Sequence, residues 1–435
     1  MLETVQDYID AKLVHSIHGS GAKSFRGCRR RWNWLMREYY YPKVTPKPLE
    51  FGVAYHKGME VLYSPLLWDK PVPTVVALAQ HAFIQECDKQ FNKYASNFEI
   101  DDEVKADYDE RRKLGKGMIA HFAKTIRRKD INEGFRPLAV EIKFEVPLRK
   151  NGKQLYCRCD DCWGRFVRSD QGHDLMRKTY DESAAGAGCA CTDHLFEEGF
   201  SLYREHHWLG LPITYGGRLD ALATDEDGLV WIVDWKSAAR MIEDRHQFLL
   251  LDDQVTRYLA ALRLCGYEVA GFLYHEIKKA VPDEPEPNKV RRLGCLYSVS
   301  KQQNVEYSTY LRVIKDNDYD AYLNGSYDVY LQWLKENEGR FSARYEEKRN
   351  ATELDKAWEE VILEAEDMTD PDLRIYKNAG RFNCENCAFI TPCLVANEGG
   401  DVVFALESMF DKKKWHYWED ETVPSTDNPA GVILG

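Results

Sequence analysis

Two acidic residues and a lysine lie at the ends of two short apolar segments that are joined by a turn. Asp220 ends the segment GGRLD, and Asp234 and Lys236 follow the segment LVWIV, with the turn sequence DEDG between the two. If residues 226–228 form a hairpin loop with Gly228 in the left-handed conformation, Asp220 lies opposite Asp234, about 4.5 to 5.5 Å away at Cβ. Lys236 then shares a face with Asp234. Two such carboxylates repel each other unless a cation binds between them, and oxygen ligands suit a hard ion such as Mg²⁺ or Mn²⁺.

The alternative is a solvated strand end, where a D-x-K sequence is more often found. The residues directly before Asp234 are continuously apolar, which is typical of a central strand that is covered on both faces. Charged residues at the end of such a strand favour a functional site.

The elements that must position this hairpin are predicted from periodicity and from turn residues. Helices are predicted over residues 20–41 and 52–63, and two long polar helices over 72–130, which would together form a helical cap. From Pro137 the sequence LAVEIKFEVPL alternates as a strand does. A helix over about residues 241–265, ended by a glycine, two further strands and a charged helical region over 302–366 complete the pattern.

We therefore expect an α/β protein in which a central mixed sheet is flanked by helices, with a helical cap and a cysteine-rich insertion. The expected division is an N-terminal helical region over residues 1–136, a core over 137–300 that the insertion interrupts at about 150–211, a C-terminal helical region over 301–395 and a tail over 396–435. At 435 residues, 44% of them hydrophobic, the chain can bury a sizeable core.

Charge and apolar patterning limit the compartment and the partners. No apolar run is long enough for a membrane span, and the N-terminus lacks a signal-peptide pattern, so we expect a cytoplasmic protein without a membrane partner, in the host cytoplasm if a phage encodes it.

The net charge of -12 does not indicate a general polyanion binder, yet residues 22–37 and 111–129 are basic and contain no acid. Phe25, Trp32 and Trp34 interleave the first stretch, a combination that suits a groove for single-stranded nucleic acid. A solvated helix face explains either basic stretch equally well.

Gln254 and Tyr258 add a polar face to the helix that follows the hairpin, because side chains four apart lie on one side of a helix. Together with G-R-L-D, D-W-K and His56 in FGVAYH, they form an ordered set that resembles the PD-(D/E)XK nuclease superfamily, in particular its RecB-like branch. The resemblance implies a restriction-endonuclease-like core.

The resemblance also implies roles for the residues of this set. His56, Asp220, Asp234 and the main-chain carbonyl of Trp235 would bind Mg²⁺ or Mn²⁺. Lys236 would position the attacking water or help to deprotonate it.

Three further residues belong to the same implied site. Gln254 and Tyr258 would contact DNA beside the metal. Glu141 matches a strand glutamate of the family, and whether it orients a metal-bound water or only supports the site stays open.

Four cysteines near the two ends of the chain form a second set. Cys384, Cys387 and Cys393 give the pattern C-x₂-C-x₅-C, and Cys28 lies far upstream. Four thiolates can bind Zn²⁺ or a [4Fe-4S] cluster, and spacing alone does not separate these from each other or from buried free thiols. The resemblance to AddB-type nucleases, CRISPR adaptation nucleases and related iron-sulfur DNA exonucleases implies a [4Fe-4S] cluster that fastens the two chain ends together.

A third set lies in the insertion and has no counterpart in the family pattern. Its members are Cys157, Cys159, Cys162, Cys189, Cys191 and His194. This is more than the four ligands of a tetrahedral zinc ion, so the sequence predicts a structural Zn²⁺ without deciding its ligands. Unligated thiols or another metal are the alternatives. A metal-stapled unit here would contact DNA or a partner protein.

We therefore expect a metal-dependent DNA nuclease, an exonuclease on single strands or duplex ends, with a helicase or recombination protein as a partner. The alternatives are a non-catalytic DNA-binding or scaffold subunit of a recombination or CRISPR-adaptation complex, an end-trimming adaptation nuclease, and an RNA nuclease. The presence of Asp220, Asp234 and Lys236 argues against a non-catalytic subunit. Replication, repair, recombination and phage DNA metabolism all use such enzymes.

Overall fold

The computed structural model describes residues 4–43, 47–171, 204, 208–241, 245–292, 294–413 and 433–434. The strands, in chain order, are β1 (His15–His18), β2 (Tyr40–Pro42), β3 (Arg136–Pro147), β4 (Arg149–Lys150), β5 (Lys153–Gln154), β6 (Tyr156–Cys157), β7 (Leu211–Thr224), β8 (Val230–Ala238), β9 (Val269–Lys278), β10 (Pro287–Arg292), β11 (Cys295–Tyr297), β12 (Ser342–Glu347), β13 (Phe410–Lys412) and β14 (Ile433–Leu434).

The helices, in chain order, are α1 (Val5–Asp10), α2 (Gly19–Gly27), α3 (Arg29–Trp32), α4 (Lys47–Leu62), α5 (Val72–Ala95), α6 (Asp102–Lys124), α7 (Ile126–Asn132), α8 (Asp160–Val167), α9 (Arg245–Leu249), α10 (Asp253–Leu264), α11 (Tyr307–Asn317), α12 (Tyr319–Leu323), α13 (Asp328–Glu336), α14 (Ala351–Thr369), α15 (Arg381–Cys384), α16 (Ile390–Asn397) and α17 (Val402–Met409). A π-helical turn (Asn33–Arg37) extends α3, and short 3₁₀ turns occur at Pro65–Leu67 and Glu338–Arg340. No helix among the described residues is long and apolar enough to cross a membrane.

A mixed sheet forms the centre of the fold. Its strand order is β12-β9-β8-β7-β3-β14, and β1 and β6 also pair with β7. The pairs β8–β9 and β1–β7 are parallel, whereas β3–β7, β7–β8 and β9–β12 are antiparallel. This confirms the α/β architecture with a central mixed sheet.

The central strand β8 separates two cores, because its successive side chains point to opposite faces. Ile232 packs into one core, with Leu259 of α10 and Val361 of α14. Val233 and Trp235 pack into the other core, which contains side chains of α4, α5 and α6. Both side chains are fully buried, and burial of a large apolar side chain contributes about 1.5 to 3 kcal/mol. The helices that were predicted to form a cap thus pack directly on the sheet.

The structure departs from the sequence-based prediction in the C-terminal region. The predicted helical stretch over residues 302–366 is interrupted by β12, which pairs with β9 at the edge of the sheet. Its sequence, SARYEE, has too few apolar residues to show a strand pattern. Within the predicted tail, α17 and β13 follow one another, and β13 pairs with β2. β13 and β2 form a separate two-stranded sheet, whereas β12 adds a strand from outside residues 137–300 to the central sheet.

Candidate active site

The hairpin of β7 and β8 has the register that the turn sequence predicts. Ala221 pairs with Val233, and the Asp225 N–H donates to the Leu229 carbonyl over 3.1 Å. Gly228 has a φ of +80°, which is the left-handed conformation that a glycine adopts without strain. The predicted loop is confirmed, and the same register places Asp220 opposite Asp234.

The two carboxylates of the hairpin have different partners. The Asp220 Oδ2 atom accepts a 2.9 Å hydrogen bond from the Trp235 N–H, and its Oδ1 atom lies 3.3 Å from His56 Nδ1 on α4. The Asp234 carboxylate lies 2.8 Å from Lys236 Nζ. Gln254 Nε2, at the start of α10, donates to Asp234 Oδ1 over 3.4 Å. Four elements of the fold thus contribute to one site.

Glu141 enters the site from the neighbouring strand β3. Its backbone has a φ of +52°, which is unusual for a residue other than glycine and stores local strain. Its carboxylate lies 3.1 Å from Arg218 Nε. Ligand atoms of His56, Glu141 and Asp220 all lie within 4.8 Å of one another. Glu141 is therefore as close to the histidine and Asp220 as a shared ion requires.

Burial and neighbouring charges shift the pKa values of the two hairpin carboxyls in opposite directions. Burial alone would raise the pKa of Asp220, but His56, Lys236 and the Trp235 amide lower it to about 2. Burial raises the pKa of Asp234, and the Asp220 carboxylate adds to the rise against the effect of Lys236. The site therefore holds one carboxylate that is well stabilised and one that is not.

The other titratable groups of the site are also shifted. Burial, followed by Glu60, raises the pKa of Glu141 to about 7. Burial disfavours the charged form of Lys236, but Asp234 and Asp220 outweigh it and raise its pKa. Burial likewise opposes the charging of His56, and Asp220 raises its pKa nonetheless. Several carboxyl groups thus share one buried site, an arrangement that a bound divalent ion would stabilise.

The donor set fits a divalent cation. One imidazole nitrogen and several carboxylate oxygens suit Mg²⁺ or Mn²⁺ better than a thiophilic metal. Asp234 Oδ2 is buried and receives no hydrogen bond of good geometry from the described residues, although the Lys236 ammonium is close. An oxygen of this kind is available to a metal ion.

Glu60 is a site residue that was not predicted from the sequence. It lies on α4 four residues after His56, and its pKa is raised by burial against the effect of Lys57. Lys57, Glu60 and Arg218 line the same cleft as His56. The four-residue spacing from His56 was the available signal, because it places both side chains on one side of the helix.

A cleft of about 1850 Å³ opens over the site. Gln254 and Tyr258 both line it, and the Tyr258 ring packs edge to face on Phe144 at 5.3 Å. Burial, followed by the Asp234 carboxylate, raises the pKa of Tyr258 to about 12, so its hydroxyl stays protonated. The polar pair thus faces the cleft beside the carboxylates.

The aromatic residues of the first basic stretch do not line a groove. Phe25, Trp32 and Trp34 are all buried in hydrophobic cores. Arg26 of the same stretch forms ion pairs with Asp253 and Glu364. The interpretation of this stretch as a base-stacking groove is therefore wrong, because a helix that packs on a core turns its aromatic side chains inward.

The second basic stretch has structural contacts. Arg111 pairs with Glu50 and Asp107, and the fully buried Arg127 donates to the carbonyls of Leu62 and Trp68, each over 2.9 Å. These arginines connect helices of the layer that covers the sheet.

The four cysteines of the chain ends lie in one region. The Asn378 N–H donates to Cys28 Sγ over 3.4 Å, and Arg30 Nη1 donates to Cys393 Sγ over 3.5 Å. Burial raises the pKa of Cys387, and the thiols of Cys28 and Cys384 contribute to the rise. Within the part of the chain that the structure describes, no three of these four sulfur atoms lie within 4.8 Å of one another.

The insertion cysteines have a partner outside the insertion. Ligand atoms of Cys157, Cys159, Cys162 and His15 all lie within 4.8 Å of one another. No local sequence pattern marks His15, which is 147 residues before Cys162. The remaining predicted ligands, Cys189, Cys191 and His194, lie outside the described residues.

Comparison with known proteins adds one finding. The sequence profile of the PD-(D/E)XK nuclease superfamily matches residues 20–394, a span that includes the hairpin, His56 and the C-terminal cysteines. None of the curated protein sequences matches the chain.

Proposed function

This chain belongs to the PD-(D/E)XK nuclease superfamily, and from that premise we propose that it is a metal-dependent DNA nuclease that acts as an exonuclease on single strands or on duplex ends. One observation carries the proposal. His56, Glu141, Asp220 and Lys236 line one cleft, and the buried Asp234 is paired with Lys236, although four separate elements supply these residues. A nuclease of this superfamily needs such a constellation of carboxylates and a lysine.

The residues that would hold Mg²⁺ or Mn²⁺ are His56, Asp220, Asp234 and the carbonyl of Trp235, and the position of Glu141 adds it to this set. When bound, the ion supplies a water of lowered pKa and offsets negative charge on the scissile phosphate.

Lys236 and Gln254 would orient the groups around the reacting phosphate. Lys236 Nζ lies 2.8 Å from the Asp234 carboxylate in a buried site, and this ion pair stabilises the ammonium form of Lys236. An ammonium donates hydrogen bonds and does not accept a proton, which suits the positioning of water and the neutralisation of phosphate charge. Gln254 Nε2 donates to Oδ1 of Asp234, the same oxygen that Lys236 contacts, and would help to keep the carboxylate in place.

The cleft itself is suited to a polyanion, although the whole chain has a net charge of -12. Lysines and arginines outnumber acidic residues along its walls, among them Lys23, Lys143, Arg168 and Lys279. Phe248 also lines the cleft and exposes 61% of its surface, so a base could stack on its ring. Cationic walls with an exposed ring favour single-stranded DNA or a frayed end.

We further propose that Cys28, Cys384, Cys387 and Cys393 hold a [4Fe-4S] cluster, as in the RecB-like branch. A single tetrahedral zinc ion needs sulfur atoms about 3.8 Å apart. No three of these four sulfur atoms among the described residues lie that close together, so their arrangement does not match a single zinc ion. The hydrogen bonds from Arg30 and Asn378 to two of the sulfurs are of the kind that tune iron-sulfur clusters.

The test uses anaerobically purified protein and end-labelled substrates. Linear single-stranded DNA, duplex DNA, RNA and circular single-stranded DNA are incubated with Mg²⁺, with Mn²⁺ or with EDTA, and Asp234→Ala serves as the inactive control. We expect metal-dependent degradation of linear DNA and an intact circle, because the circle has no end. Absence of metal-dependent cleavage by the wild type overturns the enzyme assignment, and DNA binding without cleavage then favours the DNA-binding subunit.

Further outcomes of the same experiment test the finer points. Cleavage of the circle shows an endonuclease, and preferential cleavage of RNA overturns the DNA assignment. Iron and acid-labile sulfide, measured on the same sample, should be lost in Cys387→Ser and retained in the control Cys265→Ser. An iron-free wild type prepared without oxygen contradicts the cluster.

A further inference from the structure

A compact group of three sulfur atoms and one ring nitrogen lies at the start of β7. His15 Nδ1 is 3.2 Å from Cys162 Sγ, and Cys157 Sγ is 3.4 Å from Cys159 Sγ. All four ligand atoms lie within 4.8 Å of one another. Cys157 and Cys162 are only 1% exposed, so both sulfur atoms are shielded from solvent.

These separations match a tetrahedral zinc site. With Zn–S bonds of about 2.3 Å and a Zn–N bond of about 2.0 to 2.1 Å, tetrahedral geometry places neighbouring sulfurs about 3.8 Å apart and a sulfur and nitrogen about 3.6 Å apart. The observed separations of 3.2 and 3.4 Å are slightly shorter, and the whole group is within reach of one central ion. Three cysteines and one histidine are a common ligand set of structural zinc sites.

The topology explains how residues far apart in sequence meet. β7 pairs with β1, where His15 is opposite Ile213, and with β6, where Cys157 is opposite Leu211. Cys159 is the residue before α8, and Cys162 lies in the first turn of that helix. One strand therefore brings the N-terminal histidine to the C-x-C-x₂-C segment.

Two simpler explanations, a disulfide bond and buried unligated thiols, do not account for this arrangement of sulfur and nitrogen atoms. A disulfide is not formed, because the Cys157–Cys159 sulfur separation of 3.4 Å far exceeds the S–S bond length of about 2.05 Å. Buried unligated thiols usually behave as small apolar groups among apolar neighbours. Here three thiols also face one another and an imidazole nitrogen, within the same cluster that contains Phe166 and Trp208, and apolar packing alone does not require that arrangement.

We propose that His15 Nδ1 and the sulfur atoms of Cys157, Cys159 and Cys162 bind a structural Zn²⁺. Protein ligands occupy all four coordination positions of the ion, so the site is structural and has no open position for catalysis. It fastens α8 to β1, and Arg165 and Arg168 of this segment line the cleft over the candidate active site. The proposal stands independently of the nuclease activity.

The test measures zinc and iron in the full-length protein. The Cys387→Ser background is used throughout, so that zinc held by the four cysteines of the chain ends is not counted. The variants are His15→Ala and Cys162→Ser, with His81→Ala and Cys265→Ser as matched controls. A third variant replaces Cys189, Cys191 and His194 together, because these were the other ligands that the sequence offered.

We expect about one zinc ion per chain in the background protein, in both controls and in the triple variant, as a four-ligand site requires. His15→Ala and Cys162→Ser should lose it. Cobalt substitution gives an independent readout, since Co²⁺ in a tetrahedral thiolate site shows visible d–d absorption and sulfur-to-metal charge transfer. His15→Cys keeps four ligands, so it should retain the metal with a shifted cobalt spectrum even if His15→Ala folds poorly.

Several results would overturn the proposal. Zinc content and cobalt spectra that are unchanged in His15→Ala would exclude His15 as a ligand. Loss of zinc in the triple variant alone would place the site on the residues that lie outside the described structure. A background protein that is folded by circular dichroism and contains no zinc, after expression with added zinc, would remove the site altogether.

Discussion

Asp220 and Asp234 face each other on one hairpin, yet they should respond in opposite ways to the same substitution. Asparagine keeps the size of the side chain and one acceptor oxygen, so Asp220→Asn and Asp234→Asn remove mainly the charge. In the metal-free protein we expect Asp220→Asn to lower the free energy of unfolding. We expect Asp234→Asn to leave it equal to that of the wild type or higher.

The magnitude follows from the surroundings of each carboxyl. Burial opposes the ionisation of Asp220, but His56 and Lys236 outweigh it and lower its pKa from 3.8 to about 2, which corresponds to about 2.5 kcal/mol. A lowered carboxyl pKa stabilises the fold above the unfolded-state value and is lost as the pH falls from about 4 to 2, so the full effect is present at pH 7. Asp234 has the opposite sign, because burial and Asp220 raise its pKa and its charge therefore destabilises the metal-free fold at pH 7.

The assay compares chemical denaturation and thermal unfolding at pH 7.5 in EDTA and in excess Mn²⁺. The wild type should gain about 2.7 kcal/mol at a hundredfold excess of ion over its dissociation constant. Both variants should lose most of this gain together with DNA cleavage. Glu226→Gln, an exposed residue of the same hairpin loop, is the matched control and should behave as the wild type.

Two results would refute this reasoning. If Asp234→Asn destabilises the metal-free protein as much as Asp220→Asn does, the two carboxyls do not differ in the way described. If either variant keeps the full Mn²⁺-dependent gain, that carboxylate is not a ligand.

Three other residues give predictions away from the metal ligands. Burial lowers the pKa of His275 to about 4 from 6.5, so the unfolded chain takes up a proton more readily, and the free energy of unfolding should fall by about 2 kcal/mol between pH 7 and pH 5. In His275→Phe, the fall in the free energy of unfolding between pH 7 and pH 5 should be smaller by that amount, as measured by urea denaturation. An unchanged fall would show that His275 does not titrate with a lowered pKa. Phe248→Ala should weaken binding of single-stranded DNA by about 1 to 3 kcal/mol in an Asp234→Ala background, measured by fluorescence anisotropy; Phe404→Ala, which is exposed outside the cleft, is the control, and equal affinities would exclude stacking. Arg127→Met should cost about 2 to 3 kcal/mol, because it leaves two buried carbonyls without a donor; the exposed neighbour Arg128→Met should cost little, and similar losses in both would refute a specific role.

The sequence alone determined the parts of the protein that depend on neighbouring residues. The register of the β7–β8 hairpin followed from the turn around Gly228, and the apolar run before Asp234 showed that β8 is covered on both faces. Gly266 ends α10 with a positive φ, as its position predicted. Turn chemistry and side-chain periodicity act over a few residues, so they can be read from a short segment.

The tertiary structure decided which distant residues share a site and which faces are covered. The packing of their helices buries Phe25, Trp32 and Trp34, whereas the composition of this stretch suited a nucleic-acid groove equally well. It placed His15 beside Cys162 because β1 and β6 pair with the same strand, a contact that no spacing in the chain encodes. Pairings of this kind form only when the whole sheet assembles, because each depends on the packing of elements that are far apart in sequence. A local sequence pattern therefore cannot predict them.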